Sequence, residues 1–107
     1  MKWGVGEDMD VSQVLYVGVK ARVLALDRHT GREIWKTTLP ASGIVVDTFV
    51  NLLFDGGNIF AHAAGRLYCL DAETGRILWK NDLDGCGYGL ATLATTNSSG
   101  GRLPANN

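Results

Sequence analysis

Proline, histidine and cysteine are scarce in this sequence, with two of each in 107 residues. Two cysteines, Cys69 and Cys86, cannot build the disulfide framework of a small secreted scaffold. His29 and His62 stand alone and do not supply the clustered Cys and His ligands of a zinc site. An excess of one charge is also lacking. Ten Lys and Arg against eleven Asp and Glu leave a net charge of -1, which implies no broad basic surface for nucleic acid. No apolar run approaches the ~18 residues of a membrane helix, so no membrane partner is expected. Residues 1–8 hold no apolar stretch of signal-peptide length. The compartment stays open: cytoplasmic for a complete chain, periplasmic where a leader has been removed.

Glycine is what the sequence has in excess: 14 residues, about twice the usual ~7%. Hydrophobic residues make up 46% and charged residues 20%, a globular composition that excludes disorder of the whole chain. With so little proline, the glycines are expected to mark tight turns between short strands.

The sequence repeats itself. Residues 26–39, LDRHTGREIWKTTL, match residues 70–83, LDAETGRILWKNDL, at eight of fourteen positions without a gap. The offset is 44 residues. It extends backwards, where Leu15-Tyr16-Val17 meets Ile59-Phe60-Ala61 and Arg22-Val23-Leu24 meets Arg66-Leu67-Tyr68. Forwards, Gly43 falls on Gly87 and Thr48 on Thr92. About two and a half copies of one unit are present.

Inside each copy the pattern is strand-like. Val14–Val17 and Val23–Leu26 are short apolar runs bounded by turn signals. His29-Thr30-Gly31, Glu73-Thr74-Gly75 and Asp55-Gly56-Gly57 read as hairpin turns. One unit therefore predicts four antiparallel strands, at about 44–54, 58–63, 66–71 and 76–82. A period of ~40–50 residues with four strands is the signature of a propeller blade. An all-β fold with negligible helix follows.

The spacing Ala-x-Asp-x-x-Thr-Gly-x-x-x-Trp makes the resemblance specific. The first copy carries it as Ala25, Asp27, Thr30, Gly31 and Trp35; the second as Cys69, Asp71, Thr74, Gly75 and Trp79. This resembles the tryptophan-docking motif of the PQQ-type β-propeller repeats, over about residues 13–96. The resemblance implies that each Trp packs on the Gly-containing peptide of a neighbouring blade. Elementary chemistry agrees: Trp is large and wants its N–H paired, and Gly leaves a flat peptide face. Asp27 and Asp71, recurring before a turn, are expected to hold backbone N–H groups rather than to act as catalytic carboxylates. Arg22 and Arg66 also recur and are expected to brace turns. Cys69 is expected in the core.

The same family includes quinoprotein dehydrogenases, an outer-membrane assembly lipoprotein and other scaffolds. The dehydrogenase chemistry, as the resemblance implies it, needs a metal ion held by Glu, Asn and Asp, an Asp base, adjacent cysteines and a Trp platform. None of these sets is legible here, and no nucleophile elbow, phosphate loop or zinc-protease helix is present. The expectation is a non-enzymatic scaffold for binding or assembly, without a cofactor. The alternative is a fragment or relative of a quinoprotein dehydrogenase that binds PQQ. Ser42, Asp47, His62, Cys86 and Tyr88 are the candidate ligand-face residues, in loops expected at one propeller end, where a protein or small ligand would bind.

Residues 1–96 are read as two PQQ-like repeats. One spans about 13–43, its first strand supplied by residues 88–96 of a neighbour, and the other 44–87; residues 97–107 form a polar tail. Two blades expose two apolar faces, so a homo-oligomer that closes the propeller is expected, a homotetramer first and a homotrimer next.

Overall fold

The structure, a computed structural model, describes residues 10–40, 48–87 and 89–97. Asp10 opens a single 3-10 turn, Val11–Gln13, by accepting the Ser12 N–H on its carboxylate. No other helix occurs among the described residues. Seven strands follow: β1 Val14–Val19, β2 Arg22–Asp27, β3 Glu33–Thr38, β4 Asn51–Asp55, β5 Asn58–Ala63, β6 Arg66–Asp71 and β7 Ile77–Asn81. They form two antiparallel sheets in simple sequence order, β1-β2-β3 and β4-β5-β6-β7. The all-β reading holds, with one three-stranded and one four-stranded sheet, here called blade one and blade two.

Three hairpins turn on two residues that are both left-handed: Lys20-Ala21, Gly56-Gly57 and Ala64-Gly65. That is the twist-matched turn for right-handed strands. Lys20 (φ 51°) and Ala21 (φ 60°) adopt it without glycine, at some steric cost. Ala21 is held there by backbone bonds, its N–H to the Thr48 carbonyl and its carbonyl to the Leu39 N–H.

The core lies between the two sheets. Val23, Leu39 and Val50 meet Ile59, Ala61, Ala63, Tyr68, Leu70 and Ala72 there, with Tyr16, Trp35, Leu52 and Ile77 packed against them. Gly18 marks a close approach. A Cβ at that position would lie 2.9 Å from the Val50 side chain.

Three strand expectations need correction. The strand read at 44–54 is Asn51–Asp55; residues 44–47 lie outside the described residues, and 48–50 are not strand. Thr48 instead gives its carbonyl to the β1–β2 turn. The strand read at 76–82 is Ile77–Asn81, because Arg76 belongs to the preceding turn. The first strand expected from residues 88–96 is absent, within this chain, among the described residues 89–97. Ala91 is tied by a side chain, its carbonyl accepting from Asn51 Nδ2 at 2.6 Å, rather than by a ladder. The 44-residue offset explains this: β4 corresponds to residues 95–99, and 92–94 correspond to the non-strand residues 48–50 before it.

Candidate functional site

The two copies build the same turn. In blade one the Asp27 carboxylate accepts from the N–H groups of His29 (2.8 Å) and Thr30 (3.2 Å). In blade two Asp71 accepts from Glu73 (2.8 Å) and Thr74 (3.3 Å). Thr30 and Thr74 hydroxyls each accept from the N–H of the Arg two residues on, both at 3.2 Å. Gly31 and Gly75 both stand at φ +79°. The His29 N–H holds the Asp27 carboxyl below the usual carboxylate range, against the opposing effect of desolvation.

Blade two's turn receives blade one's tryptophan. A Cβ on Gly75 would lie 2.5 Å from Trp35 Cε3, so the ring rests directly on the glycine. Trp35 Nε1 donates to the Ala72 carbonyl at 3.2 Å, and the Tyr16 hydroxyl donates to the same oxygen at 2.9 Å. Thr37 Oγ1 donates to the Gly75 carbonyl. Tyr16 also stacks on Phe54, with centroids 5.8 Å apart. Burial in this joint, followed by the charges of Glu73 and Asp71, pushes the Tyr16 hydroxyl up to about 12. Tyr16, Thr37 and Ala72 lie outside the sequence motif. Tyr16 alone has a sequence signal, since it repeats as the aromatic Phe60 at the same offset.

Trp79 is placed differently. It is 45% exposed, although Phe60 meets it at 6.1 Å and 44°, as Tyr16 meets Trp35 at 6.0 Å and 44°. A hollow of about 220 Å³ opens there, lined by Leu53, Phe60, Leu67, Trp79 and residues 93–95. A Cβ on Gly31 would meet no atom within 4 Å among the described residues. Within the chain, of Trp35 and Trp79 only Trp35 has a glycine peptide of the described residues beneath it. Ala25 and Cys69 are both buried behind their tryptophans, in register with Trp35 and Trp79.

The end-loop residues do not form one site. His62 is not in a loop; it lies in β5 between Asn51 and Leu67 and is only 6% exposed. Its place in the middle strand pairs, ahead of the Ala64-Gly65 turn, sets its burial. Cys86 is exposed in the turn after β7, and its thiol points to the Asp84 carbonyl at 3.9 Å. Ser42, Asp47 and Tyr88 lie outside the described residues. Beside Cys86 a polar hollow of about 260 Å³ is bounded by Arg66, Asp82, Asp84 and the 64–65 and 85–87 turns. Arg66 Nε pairs with Asp82 at 3.2 Å and Lys80 with the same oxygen at 3.3 Å. Arg22, the counterpart of Arg66, is exposed.

The donor set for a PQQ-type cofactor does not fit these residues. No three His, Cys, Asp or Glu side chains converge among the described residues. Cys69 is buried and Cys86 exposed, so they are not a pair. Burial, with Asp71 adding, pushes the Cys69 thiol up, which keeps it protonated and unreactive.

Comparison with known proteins agrees with the fold. The family profile described as outer membrane protein assembly factor BamB matches residues 19–97. No curated protein matches the chain. Among solved structures, BamB from Moraxella catarrhalis is similar at 24% identity and a TM-score of 0.50, over 64% of this chain and 20% of that one. The quinohemoprotein alcohol dehydrogenase ADHIIG from Pseudomonas putida HK5 is similar at 23% identity and a TM-score of 0.53, over 64% of this chain and 11% of that one. The chain thus spans a small part of either protein. With the profile covering well over half of its length, the chain belongs to the PQQ-repeat β-propeller family.

Proposed function

We propose that the chain serves as a non-catalytic propeller module, a scaffold for binding or assembly. The observation that carries this reading is how the repeated polar groups are used. Both aspartates of the motif hold turns, and the Trp35 N–H holds the joint between blades. Several large apolar side chains stay at the surface: Trp79, Leu78, Leu15 and Phe54 are each 40–53% exposed. Where exposed apolar side chains adjoin in a contiguous patch, the surface marks an interaction site. The assembly factor that describes the family profile supports the same reading.

The test is direct. Equilibrium dialysis against PQQ with and without calcium ion, followed by a dye-reduction assay with simple alcohols, should show no retained quinone and no turnover. A retained, redox-active quinone would replace this reading with a quinoprotein one.

A further inference from the structure

Resting on the scaffold reading, we propose that its partner is a second copy of the chain. Trp79 of one molecule docks on the Gly31 turn of the next, repeating between molecules the joint that Trp35 makes with Gly75 inside one.

Each half of that joint is present and open. On the acceptor side, the Gly31 turn has the same φ and hydrogen bonds as the Gly75 turn, with no described residue over its glycine. The face around it matches too. Blade two meets blade one through Ile59, Ala61, Tyr68 and Leu70, all 0% exposed. Their counterparts 44 residues earlier are Leu15, Val17, Leu24 and Leu26, all apolar. Leu15 is 53% exposed and the other three are half-buried.

On the donor side, Phe60 already sets the Trp79 ring at the angle that Tyr16 gives Trp35. The hollow beside it is lined by Phe60, Leu67, Trp79 and Ala94. Their counterparts Tyr16, Val23, Trp35 and Val50 pack in the core between the blades. The hollow is thus the same interblade seam without its second wall. By the same correspondence, Trp79 Nε1 would donate to the Arg28 carbonyl, and the Asn81 amide would take the place of Thr37 beneath Gly31. Donor and acceptor belong to different blades, so the contact is head to tail. It closes a ring or runs on as a filament. With two blades per chain, propellers of ~4–8 blades correspond to rings of two, three or four chains, four being expected first and three next.

Two variants test the polarity. Trp79→Ala removes the donor and keeps the acceptor; Leu15→Glu charges the acceptor face and keeps the donor. By light scattering at tens of micromolar, the wild-type chain should be a multimer of its 11.5 kDa unit. Each variant alone should be a monomer. Their equal mixture should give a dimer of twice the chain mass and nothing larger, because only one productive joint exists in that pair. Formation of that dimer also demonstrates that both variants are folded. Trp79→Phe, which keeps a ring on Phe60 but loses the N–H, should shift the wild-type association midpoint to higher concentration. A monomeric wild type, a variant that still self-associates, or a mixture that does not pair overturns the proposal.

Discussion

Trp35 and Trp79 stand at the same place on their sheets, opposite Ala25 and Cys69 respectively. Each leans on an aromatic neighbour at nearly the same distance and angle. One ring is covered by a glycine peptide and hydrogen-bonded; the other is 45% exposed. The difference is not in the blades themselves. It lies in what stands beyond them. Blade one has blade two, whereas among the described residues the Trp79 hollow has only the short 93–95 segment. A repeat motif therefore fixes the geometry of both halves of a joint, while the stabilisation each half provides depends on a neighbour.

That contrast can be broken most sharply at the rings. At low protein concentration, where contacts between molecules are diluted out, Trp35→Ala should cost about 3–5 kcal/mol, the range for a buried aromatic. Trp79→Ala should cost under about 1.5 kcal/mol, since a half-exposed ring has less surface to lose. Urea unfolding checks both, and equal losses would erase the distinction between the blades.

The glycines come next. Gly75→Ala places a Cβ 2.5 Å from the Trp35 ring at φ +79°, so overpacking adds to left-handed strain, about 2–4 kcal/mol together. Gly31→Ala meets no atom of the described residues within 4 Å and should cost only the strain, about 1–2 kcal/mol. The same urea titrations measure the pair.

Tyr16 sharpens the comparison through pH. Its hydroxyl is pushed from 10 up to about 12 in the folded chain. The unfolded chain ionises first as pH rises past 10, so this part of the stability is intact below pH 10 and lost by about pH 12. Thermal melts across that range should show a decline that Tyr16→Phe reduces; Phe60, its counterpart in blade two, has no proton to lose. At neutral pH Tyr16→Phe should cost about 1 kcal/mol for the lost bond to Ala72.

The smallest effect is expected at a turn. Lys20→Gly relieves a non-glycine left-handed residue that is exposed, and should stabilise by a few tenths to about 1 kcal/mol. The same change at Ala64 should behave alike, since the two turns correspond. A clear loss at either site in thermal melts would show that the side chain, not the backbone, matters there.

Strands β2, β5 and β6 can be read from the sequence within a residue because their information is local. Alternating side chains and two-residue turns fix where a strand begins and ends. The start of β4 is not legible, because the Thr48 carbonyl is drawn to Ala21, far back in the chain, rather than to a ladder. His62 is obscured for a related reason. Its neighbours Ala63, Ala64 and Gly65 look like a loop, yet the chain does not turn until Ala64 and Gly65. The unequal exposure of the two tryptophans cannot be read from the motif, since it depends on a contact one repeat away. The polar hollow at Arg66 and Asp82 is hidden as well, because a hollow arises from loop geometry that composition does not encode.

Gly18 and Val50 carry a consequence for how such repeats diverge. The close approach there leaves no room for a side chain at position 18 while a valine faces it. One repeat later the corresponding residues are His62 and Ala94: the large residue has moved to the other partner. By sequence correspondence, the bulk at this pair of positions is divided the opposite way one repeat later. Two duplicated blades that drift in this fashion keep one backbone plan but lose interchangeability. A blade carrying histidine at this position would collide with a valine-bearing lead-in, and a blade carrying glycine would leave a void against an alanine-bearing one. The order of the blades is thus recorded in paired sizes, much as the teeth of a key record one lock.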